Sequence, residues 1–510
     1  MKPTFYVTTP IYYVNGPPHI GHAYTSIAAD VMARWKRLDG HDVFFLTGTD
    51  EHGQKVEKAA ADAGMPPQQF VDGISARFQA MTARMGISND AFVRTTEERH
   101  ALSCAALWSR VAAAGDIYLG GYEGWYAVRD EAFYNEDEMI DGLGGKVAPT
   151  GAPVEWVTEP SYFFRLAAWR DRLLAFYEAN PDFLAPSSTR NEVLSFVRGG
   201  LTDLSISRTS FTWGIPVPGD PAHVMYVWFD ALTNYITALG YPAENVDLWR
   251  FWPANLHLVG KEIARFHTVF WPAFLMSAGL APPRRVFANG WLTIEGEKMS
   301  KSIGNVIDPI ALADELGLDA VRFYLMREVP FGNDGNYSRQ ALISRMNTEL
   351  ANDLGNLAQR SLSLIAKNCG GGLPAIGPAT PDDTALRAMA DGLPDALRAH
   401  LDRQAIGDAI EDVWKVIRAG NSYIDKQAPW ALRRTDVTRM GAVLRVLADV
   451  LRVVATVLQP VMPTSMAAML DQLGVPANKC QLGDLGTALA NGTALPAPQG
   501  VFPRYAPLSP

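Results

Sequence analysis

A strand–helix–strand pattern in the first 50 residues constrains the fold more than any other feature of the sequence. Phe5 to Thr9 are aromatic and β-branched, which favours a strand. Apolar residues then recur at spacings of 4, 4 and 3 between Ile27 and Leu38, the period of a helix with one apolar face. The apolar run from Val43 to Leu46 is typical of a buried strand. Because such units build parallel sheets, the sequence predicts an α/β fold around a parallel sheet.

Two polar segments, "PPHIGH" and "GTDEHG", follow these two strands at the edge where open α/β sheets bind ligands. His19 and His22 lie where a glycine-bearing turn opens the helix, and helix starts attract anions. Their imidazoles could donate hydrogen bonds to phosphate, and Gly21 would allow a planar ring to approach the backbone. Taken alone, the pair is explained more simply as two surface histidines near a helix cap.

A second motif, "GEKMSKSIGNVIDP", carries Lys298 and Lys301 between glycines. A mobile loop of this kind could place cations on a polyphosphate while charge builds on the leaving group. A solvated basic loop explains this segment equally well when it is considered alone.

The rest of the chain suggests several domains, since 510 residues exceed what one core usually serves. From about Gly115 the sequence becomes rich in glycine and aromatic residues, which indicates a small inserted β unit. Strand signals return from His223 and from Asn255, and the chain past Asp308 is mostly helical in pattern. A loop follows at 368–383.

Composition excludes several classes of protein. The three cysteines are far apart and form no C-x-x-C pair, so neither a disulfide framework nor a cysteine zinc site is expected. The N-terminus lacks the apolar core of a secretory signal, which favours the cytoplasm. The most apolar late stretch, Val443 to Met462, contains three charged residues and is therefore expected to be an amphipathic or buried helix rather than a membrane span. A net charge of −9 gives no global sign of nucleic-acid binding.

Taken together, the two motifs are far more specific. "HIGH" at 19–22 and "KMSKS" at 298–302 match both signatures of class I aminoacyl-tRNA synthetases, which this sequence resembles. The resemblance implies a Rossmann-like catalytic domain that joins an amino acid to AMP from ATP. It would release pyrophosphate and pass the aminoacyl group to the terminal ribose of tRNA. Mg²⁺ is expected with ATP.

Within this class, five blocks are similar to methionyl-tRNA synthetases: "TTPIYYVNGPPHIGHAY", "GTDEHGQK", "YVWFDALTNYI", "GKEIARFHTVFWPAFL" and "DKQAPW". The implied activity is methionine–tRNA ligation, with L-methionine, ATP and tRNA(Met), including the initiator tRNA, as partners. It would serve translation initiation and elongation. The implied segments are 1–114 (first half of the catalytic domain), 115–220 (connective insert without zinc), 221–307 (second half, with the KMSKS loop), 308–345 (stem-contact linker region) and 346–510 (α-helical-bundle anticodon-binding domain).

The resemblance also implies roles for individual residues. The methionine pocket is expected to be lined by Ile11, Tyr13, Trp228, Tyr235, Phe266 and His267, with Asp50 on the substrate ammonium. ATP is expected to contact His19 and His22 (phosphates), Gly21 (adenine), Gly260 and Glu262 (adenosine), and Lys298 and Lys301 (pyrophosphate). The anticodon is expected to be read by Asn356, Arg360 and Trp430. Without the resemblance, Trp228 and Phe266 would be ascribed to ordinary core packing, Asp50 to a capping role and Trp430 to a buried staple.

The chain departs from many relatives at a zinc knuckle. Ala127 and Asp130 stand where two cysteines would lie, and no histidine lies between His100 and His223. Zinc needs Cys- or His-type ligands, so we expect no zinc and an insert held by aromatic packing. The aromatic residues expected to hold it are Trp125, Tyr126, Phe133 and Trp156. The chain also ends directly after the helical domain, without a dimerisation domain, so a monomer is expected.

Two kinds of rival function remain at this point. Another class I synthetase would be a cysteine enzyme, which needs zinc ligands, or a leucine enzyme, which usually carries a large editing insert. A catalytically silent relative could act as an RNA-binding or scaffold protein. The intact His19, His22, Lys298, Lys301 and Asp50 argue against the silent relative.

Overall fold

The computed structural model describes residues 2–130, 132–134, 136–142, 145–297, 299 and 304–506. Lys298 and Lys301, the two lysines of the second motif, lie outside these residues. The N-terminal part alternates strands and helices as the sequence predicts. Its elements are β1 Thr4–Tyr13, α1 Ile20–Leu38, β2 Asp42–Asp50, α2 Gln54–Asp62, α3 Pro67–Arg84, β3 Ala91–Arg94 and α4 Glu98–Ala113.

The segment predicted as an insert contains an antiparallel β unit and two helices. Its elements are β4 Ile117–Ala127, β5 Ala132–Tyr134, β6 Ile140–Gly142, β7 Gly145–Val147, β8 Glu155–Phe164, α5 Arg170–Ala179, β9 Leu184–Ala185, α6 Ser187–Gly199, β10 Leu204–Ser205, β11 Ser207–Arg208, β12 Pro216–Val217 and β13 Asp220–Met225. Four strands form one sheet in the order β10–β8–β4–β5. The sequence did not reveal α5, α6 or the short strand β9.

β9 of this segment already belongs to the parallel central sheet, to which the chain returns after β13. The next elements are α7 Val227–Thr237, β14 Leu256–Gly260, α8 Trp271–Ser277, β15 Val286–Asn289 and β16 Leu292–Ile294. One expectation needs correction here: the strand predicted from His223 ends at Met225, and the following "VWFDA" forms the start of α7. A short π-helix, Phe266–Phe270, precedes α8.

The central sheet has six parallel strands in the order β3–β2–β1–β14–β15–β9. Successive residues of β1 point to opposite faces, so Val7 joins the apolar cluster with α1 and Tyr6 joins the cluster with α7. Both faces are therefore covered, as parallel sheets require.

The remainder of the described chain is almost entirely helical. Its elements are α9 Pro309–Leu316, α10 Leu318–Glu328, β17 Gly335–Tyr337, α11 Arg339–Arg345, the π-helix Met346–Gly355, α12 Asn356–Asn368, α13 Pro381–Asp391, α14 Leu393–Leu401, α15 Ile406–Gln427, α16 Pro429–Leu432, α17 Val437–Leu458 and α18 Pro463–Gln472. α17 holds the apolar stretch noted above, and its Arg445 and Arg452 are buried against backbone carbonyls. Among the described residues, no helix is long and apolar enough to cross a membrane.

α1 joins the sheet to the helical part of the chain. The fully buried Arg322 of α10 donates to Asp30 of α1 at 2.6 Å and to the carbonyls of Pro460 and Val461 at 2.8 and 3.0 Å. Near the end of α1, Lys36 contacts Asp402 at 2.7 Å. The helix is thus fixed both to the sheet and to the C-terminal helices.

Candidate active site

His19 and His22 cap the start of α1. The backbone N–H of Gly21 donates to His19 Nδ1 at 3.2 Å, and the backbone N–H of His19 donates to His22 Nδ1 at 3.1 Å. The two rings stack with centroids 3.7 Å apart. The two residues therefore cap the helix, but both are partly buried rather than on the surface, and the cap leaves room for a second role.

This cap also decides which nitrogen of each ring can donate. Burial, together with the neighbouring His19, lowers the pKa of His22 below its ordinary value, so the ring is neutral near pH 7. Since its Nδ1 accepts a hydrogen bond, its proton must be on Nε2. His19 Nδ1 also accepts a hydrogen bond, so the ring proton of His19 lies on Nε2. Two parallel N–H donors at a helix start suit an anion.

The described residues around the lysine loop lie against this helix start. A Cβ added to Gly21 would lie 3.8 Å from Cε of Met299, which stands between the two loop lysines in sequence. The backbone N–H of Ile20 donates to the carbonyl of Ile307 at 3.0 Å, just beyond the loop. The second motif therefore approaches α1 at two points, Met299 and Ile307.

Gly260 and Glu262 form a compact pair at the carboxyl end of β14. A Cβ added to Gly260 would lie 2.4 Å from Oε1 and 2.6 Å from Oε2 of Glu262. The Glu262 carboxylate thus occupies space that only a glycine leaves open, and it is held at the sheet edge where nucleotides bind in such folds.

An aromatic pocket lies beside β14. The rings of Trp228 and Phe266 stack with centroids 3.8 Å apart, and both are only partly buried. The hydroxyl of Tyr235 contacts Nε2 of His267 at 2.7 Å, and His267 Nδ1 contacts the carbonyl of Ile263 at 2.9 Å. Burial lowers the pKa of His267 to about 4, so it is a neutral ring within an apolar wall.

Ile11, Tyr13 and Asp50 lie where β1 and β2 end. Ile11 pairs with Gly48 and Tyr13 with Asp50 in the parallel register. A Cβ on Gly48 would lie 2.1 Å from the Val93 carbonyl oxygen and 3.0 Å from the Ile11 side chain, so this edge is tightly packed. Burial, and to a smaller extent the charge of Asp50, raise the pKa of Tyr235. Asp50 also lies beside Tyr13, one of the residues expected to line the methionine pocket.

A buried network behind this edge was not predicted from the sequence. Asp230 of α7 contacts Nδ1 of His52 and Nε2 of His100, each at 2.7 Å. Although burial opposes it, the charges and hydrogen bonds of His52 and His100 lower the pKa of Asp230 to about 2. His100, Cys104 and Asp230 could in principle surround a metal ion, but their direct contacts already satisfy Asp230. The network braces the segment that directly follows Asp50 at the end of β2.

His257 was also missed. Its Nδ1 contacts the Thr8 hydroxyl at 2.8 Å, and its ring stacks on Tyr235 with centroids 4.1 Å apart. Burial and the nearby His267 lower the pKa of His257. "LHLVG" reads as an ordinary buried strand, and the only available signal was a histidine within an apolar run.

The three residues expected at the anticodon form one surface cluster in the helical part. Arg360 donates to Asp425 at 2.6 Å, and its guanidinium lies 5.2 Å from the ring centroid of Trp430. Trp430 is 41% exposed, so it is not a buried staple. Asn356 is exposed at the start of α12, directly after the π-helix Met346–Gly355.

The insert is held without cysteine. Ala127, at one of the expected cysteine positions, is buried with Ala148 and Ala152. Asp130, at the other, accepts hydrogen bonds from Tyr134 and Thr150. The expected aromatic pairing is present in part, since the rings of Trp125 and Trp156 meet edge to face at 5.3 Å, although Trp156 is 56% exposed.

Comparison with known families decides between the rival functions. Residues 5–362 match the family described as tRNA synthetases class I (M), and residues 373–506 match the anticodon binding domain of methionyl tRNA ligase. The chain belongs to the methionyl-tRNA synthetase family. These two matches confirm the resemblance inferred from the "HIGH" and "KMSKS" motifs and their surrounding blocks.

Curated members of the methionyl-tRNA synthetase family are similar over nearly the full chain. The methionine–tRNA ligase of Brucella suis biovar 1 is 56% identical over 503 residues, 98% of each chain. That of Mycobacterium tuberculosis strain CDC 1551 is 55% identical over 517 residues, covering 100% of this chain and 99% of that one.

Solved structures of the methionyl-tRNA synthetase family confirm the fold class. The Mycobacterium tuberculosis enzyme in complex with methionyl-adenylate is 54% identical, with a TM-score of 0.97 over 98% of this chain and 100% of that one. Its apo form gives a TM-score of 0.91 at 50% identity, over 100% and 99% of the two chains. The predicted enzyme class, an aminoacyl-tRNA ligase, is confirmed by the same relatives.

Proposed function

We propose that the sheet edge described above activates L-methionine with ATP to methionyl-AMP, and that the chain then transfers the methionyl group to tRNA(Met), including the initiator tRNA. The observation that carries this proposal is the convergence of three parts at one edge: the capped helix start, the Gly260–Glu262 pair and the aromatic pocket with Asp50. Each part matches one portion of the two substrates.

His19 and His22 are proposed to donate from Nε2 to the phosphates, with Gly21 against adenine and Glu262 accepting from ribose hydroxyls. Lys298 and Lys301 are proposed to contact the pyrophosphate as it leaves. The substrate carboxylate is already a nucleophile, so its attack on the α-phosphate needs positioning and charge stabilisation rather than a general base.

The methionine side chain is proposed to lie between Ile11, Tyr13 and the stacked Trp228 and Phe266, with Tyr235 and His267 at its end. Sulfur–aromatic contacts are worth about 0.3–1.5 kcal/mol each. Asp50 is proposed to hold the ammonium group through a charge-assisted hydrogen bond. The apolar walls and the neutral His267 support a thioether ligand rather than a charged side chain.

Mg²⁺ is proposed to arrive with ATP. The side chains that cap α1 are imidazoles, whereas Mg²⁺ prefers oxygen ligands, so phosphate oxygens and water would hold it. The ion would neutralise phosphate charge. We still predict that the protein binds no zinc. One zinc ion per chain in a metal analysis of the purified protein would contradict this prediction.

The cluster of Asn356, Arg360 and Trp430 is proposed to read the CAU anticodon. An exposed indole can stack on an unpaired base, and the neighbouring amide and guanidinium can contact base edges. Trp430→Ala should spare ATP–pyrophosphate exchange and strongly reduce tRNA charging. An equal loss of both would refute this role.

The proposed reaction is tested by methionine-dependent ATP–pyrophosphate exchange, run in parallel with leucine and cysteine. We expect exchange with methionine and little with the other two. Absence of exchange with methionine would overturn the proposal. The predicted segment bounds, the cytoplasmic location and the monomer remain proposals, and light scattering of the purified protein tests the last.

A further inference from the structure

Trp291 lies beside the proposed nucleotide site. It is 46% exposed and stands directly before β16, the strand that leads to the lysine loop. Its indole Nε1–H donates to Oε2 of Glu262 at 3.0 Å. The side chain proposed to accept from the ribose therefore already accepts from a tryptophan.

The backbone of Trp291 is firmly held, whereas its side chain is half-exposed. A Cβ on the preceding Gly290 would lie 2.2 Å from the Asn333 carbonyl oxygen, so the two backbones touch. The backbone N–H of Trp291 donates to Asp334 at 2.8 Å, and Lys261 contacts the same carboxylate at 2.7 Å. If this part of the chain changes conformation, the indole side chain would therefore move and the backbone would stay in place.

We propose that the indole N–H of Trp291 occupies the place on Glu262 that a ribose hydroxyl of ATP takes, so that Trp291 releases Glu262 when the nucleotide binds. This inference rests on the role proposed for Glu262. Both donors need the same carboxylate, whose Oε2 already accepts from the indole and whose two oxygens both lie close to Gly260. Breaking the existing charge-assisted hydrogen bond therefore weakens ATP binding.

The decisive variant is Trp291→Phe, which keeps an aromatic ring next to Lys261 (4.1 Å from the ring centroid) but removes the competing donor. The KM for ATP in methionine-dependent exchange should fall about 2- to 10-fold, the range expected for one net hydrogen bond. The KM for methionine should stay unchanged. Trp156→Phe, at an exposed tryptophan of the insert, is the matched control and should change neither constant.

A double variant with Glu262→Ala distinguishes competition for the carboxylate from an effect of ring packing alone. In the Glu262→Ala variant the carboxylate is gone, so there is nothing for the indole to compete for. Adding Trp291→Phe to this variant should therefore leave its KM for ATP unchanged. If Trp291→Phe lowered the KM for ATP equally in the Glu262→Ala variant, the inference would be overturned. An unchanged or raised KM for ATP in Trp291→Phe alone would also overturn it.

Intrinsic fluorescence gives an independent readout of indole release. ATP should change the tryptophan emission of the wild-type protein and of Trp156→Phe, and most of this change should be lost in Trp291→Phe. Retention of the full change in Trp291→Phe would contradict the inference. If the wild-type protein shows no methionine-dependent exchange, the proposed function fails instead; if it exchanges normally and Trp291→Phe behaves as wild type, only the role of Trp291 fails.

Discussion

At the scale of single residues, the proposed methionine pocket depends on imidazoles that stay neutral. His267 contacts the Tyr235 hydroxyl on one side and the Ile263 carbonyl on the other. His257 stacks beneath Tyr235 and contacts Thr8. A neutral ring costs far less to bury than a charged one, so this arrangement provides orientation without placing a charge next to the proposed thioether site.

The contact between Tyr235 and His267 gives a direct test of the pocket. Tyr235→Phe removes the hydroxyl but keeps the ring, so the KM for methionine should rise about 2- to 10-fold while the KM for ATP stays constant. Steady-state ATP–pyrophosphate exchange measures both. Tyr423→Phe loses a similar hydroxyl contact, to Asp383 in the helical part, and should leave the KM for methionine unchanged. Equal effects from the two variants would argue against a pocket role for Tyr235.

The depressed pKa of His267 predicts how stability depends on pH. The unfolded chain takes up a proton near pH 6.5, whereas the folded chain takes it up only near pH 4. Stability from this group is therefore complete above pH 6.5 and decreases as the pH falls towards 4, by about 3 kcal/mol in all. Urea unfolding at several pH values should show this decrease in the wild type and a shallower one in His267→Asn. Identical slopes would contradict the assignment.

The sequence indicated most of the pocket residues, but only through resemblance to a family. The contacts between those residues could not be predicted, because they join distant parts of the chain: Thr8 meets His257 across 249 positions, and His52 meets Asp230 across 178. No local pattern specifies such pairs. Burial then sets their protonation, and burial is a property of the folded chain alone.

At the scale of elements, the start of α1 combines a cap with a proposed phosphate contact, and two variants of His19 can separate these roles. In His19→Asn the side-chain oxygen can still accept from the Gly21 N–H, so stability should stay within about 0.5 kcal/mol while the exchange rate falls at least about 10-fold. In His19→Ala the cap is also lost, which should cost a further ~0.5–2 kcal/mol. Urea unfolding and exchange assays measure the two effects.

If His19→Asn and His19→Ala lost the same stability, the side chain would not act as a cap. If His19→Asn kept the full exchange rate, its imidazole would have no part in the reaction.

Strands and helices were predicted where the local pattern was strong. β1, α1 and β2 follow from period and apolar runs, and the structure confirms them. The error at "VWFDA" has a local cause: its aromatic and β-branched residues favour a strand, but packing against α4 imposes a helix. The π-helix Phe266–Phe270 and the two-residue strand β9 have no sequence signal of their own, since neighbouring elements determine both.

At the scale of the molecule, Arg322 connects three parts of the fold and should be costly to alter. Its buried guanidinium donates to Asp30 and to the carbonyls of Met85, Pro460 and Val461. Arg322→Met would leave the three carbonyls without this donor, while Asp30 would keep its contacts with Arg34 and Ser88. The expected loss is about 3–5 kcal/mol in the free energy of unfolding. Arg84→Met, at an exposed pair with Asp314, should cost no more than about 1 kcal/mol. Chemical denaturation compares the two variants, and similar losses would contradict the role assigned to Arg322.

The order of the parts could be predicted from the sequence, but their mutual placement could not. Switches from strand to helix patterns and the Gly-rich segment after 115 indicated a sheet domain, an insert and a helical region. The joint between the first and last of these rests on charged residues such as Asp30 and Arg322, 292 positions apart, which in a sequence resemble ordinary surface residues. Only the burial of these two residues in the folded chain shows that they connect the sheet domain to the helical region.

α1 has a consequence for how the chain could change over evolution. One rigid helix of 19 residues, about 28 Å long, begins at the proposed phosphate contacts and ends at side chains attached to the C-terminal bundle. Inserting or deleting one residue within it would turn its two ends by about 100° relative to each other. Either the imidazoles or the contact of Lys36 with Asp402 would then point the wrong way. We therefore expect viable variants of this chain to keep the length of α1 unchanged.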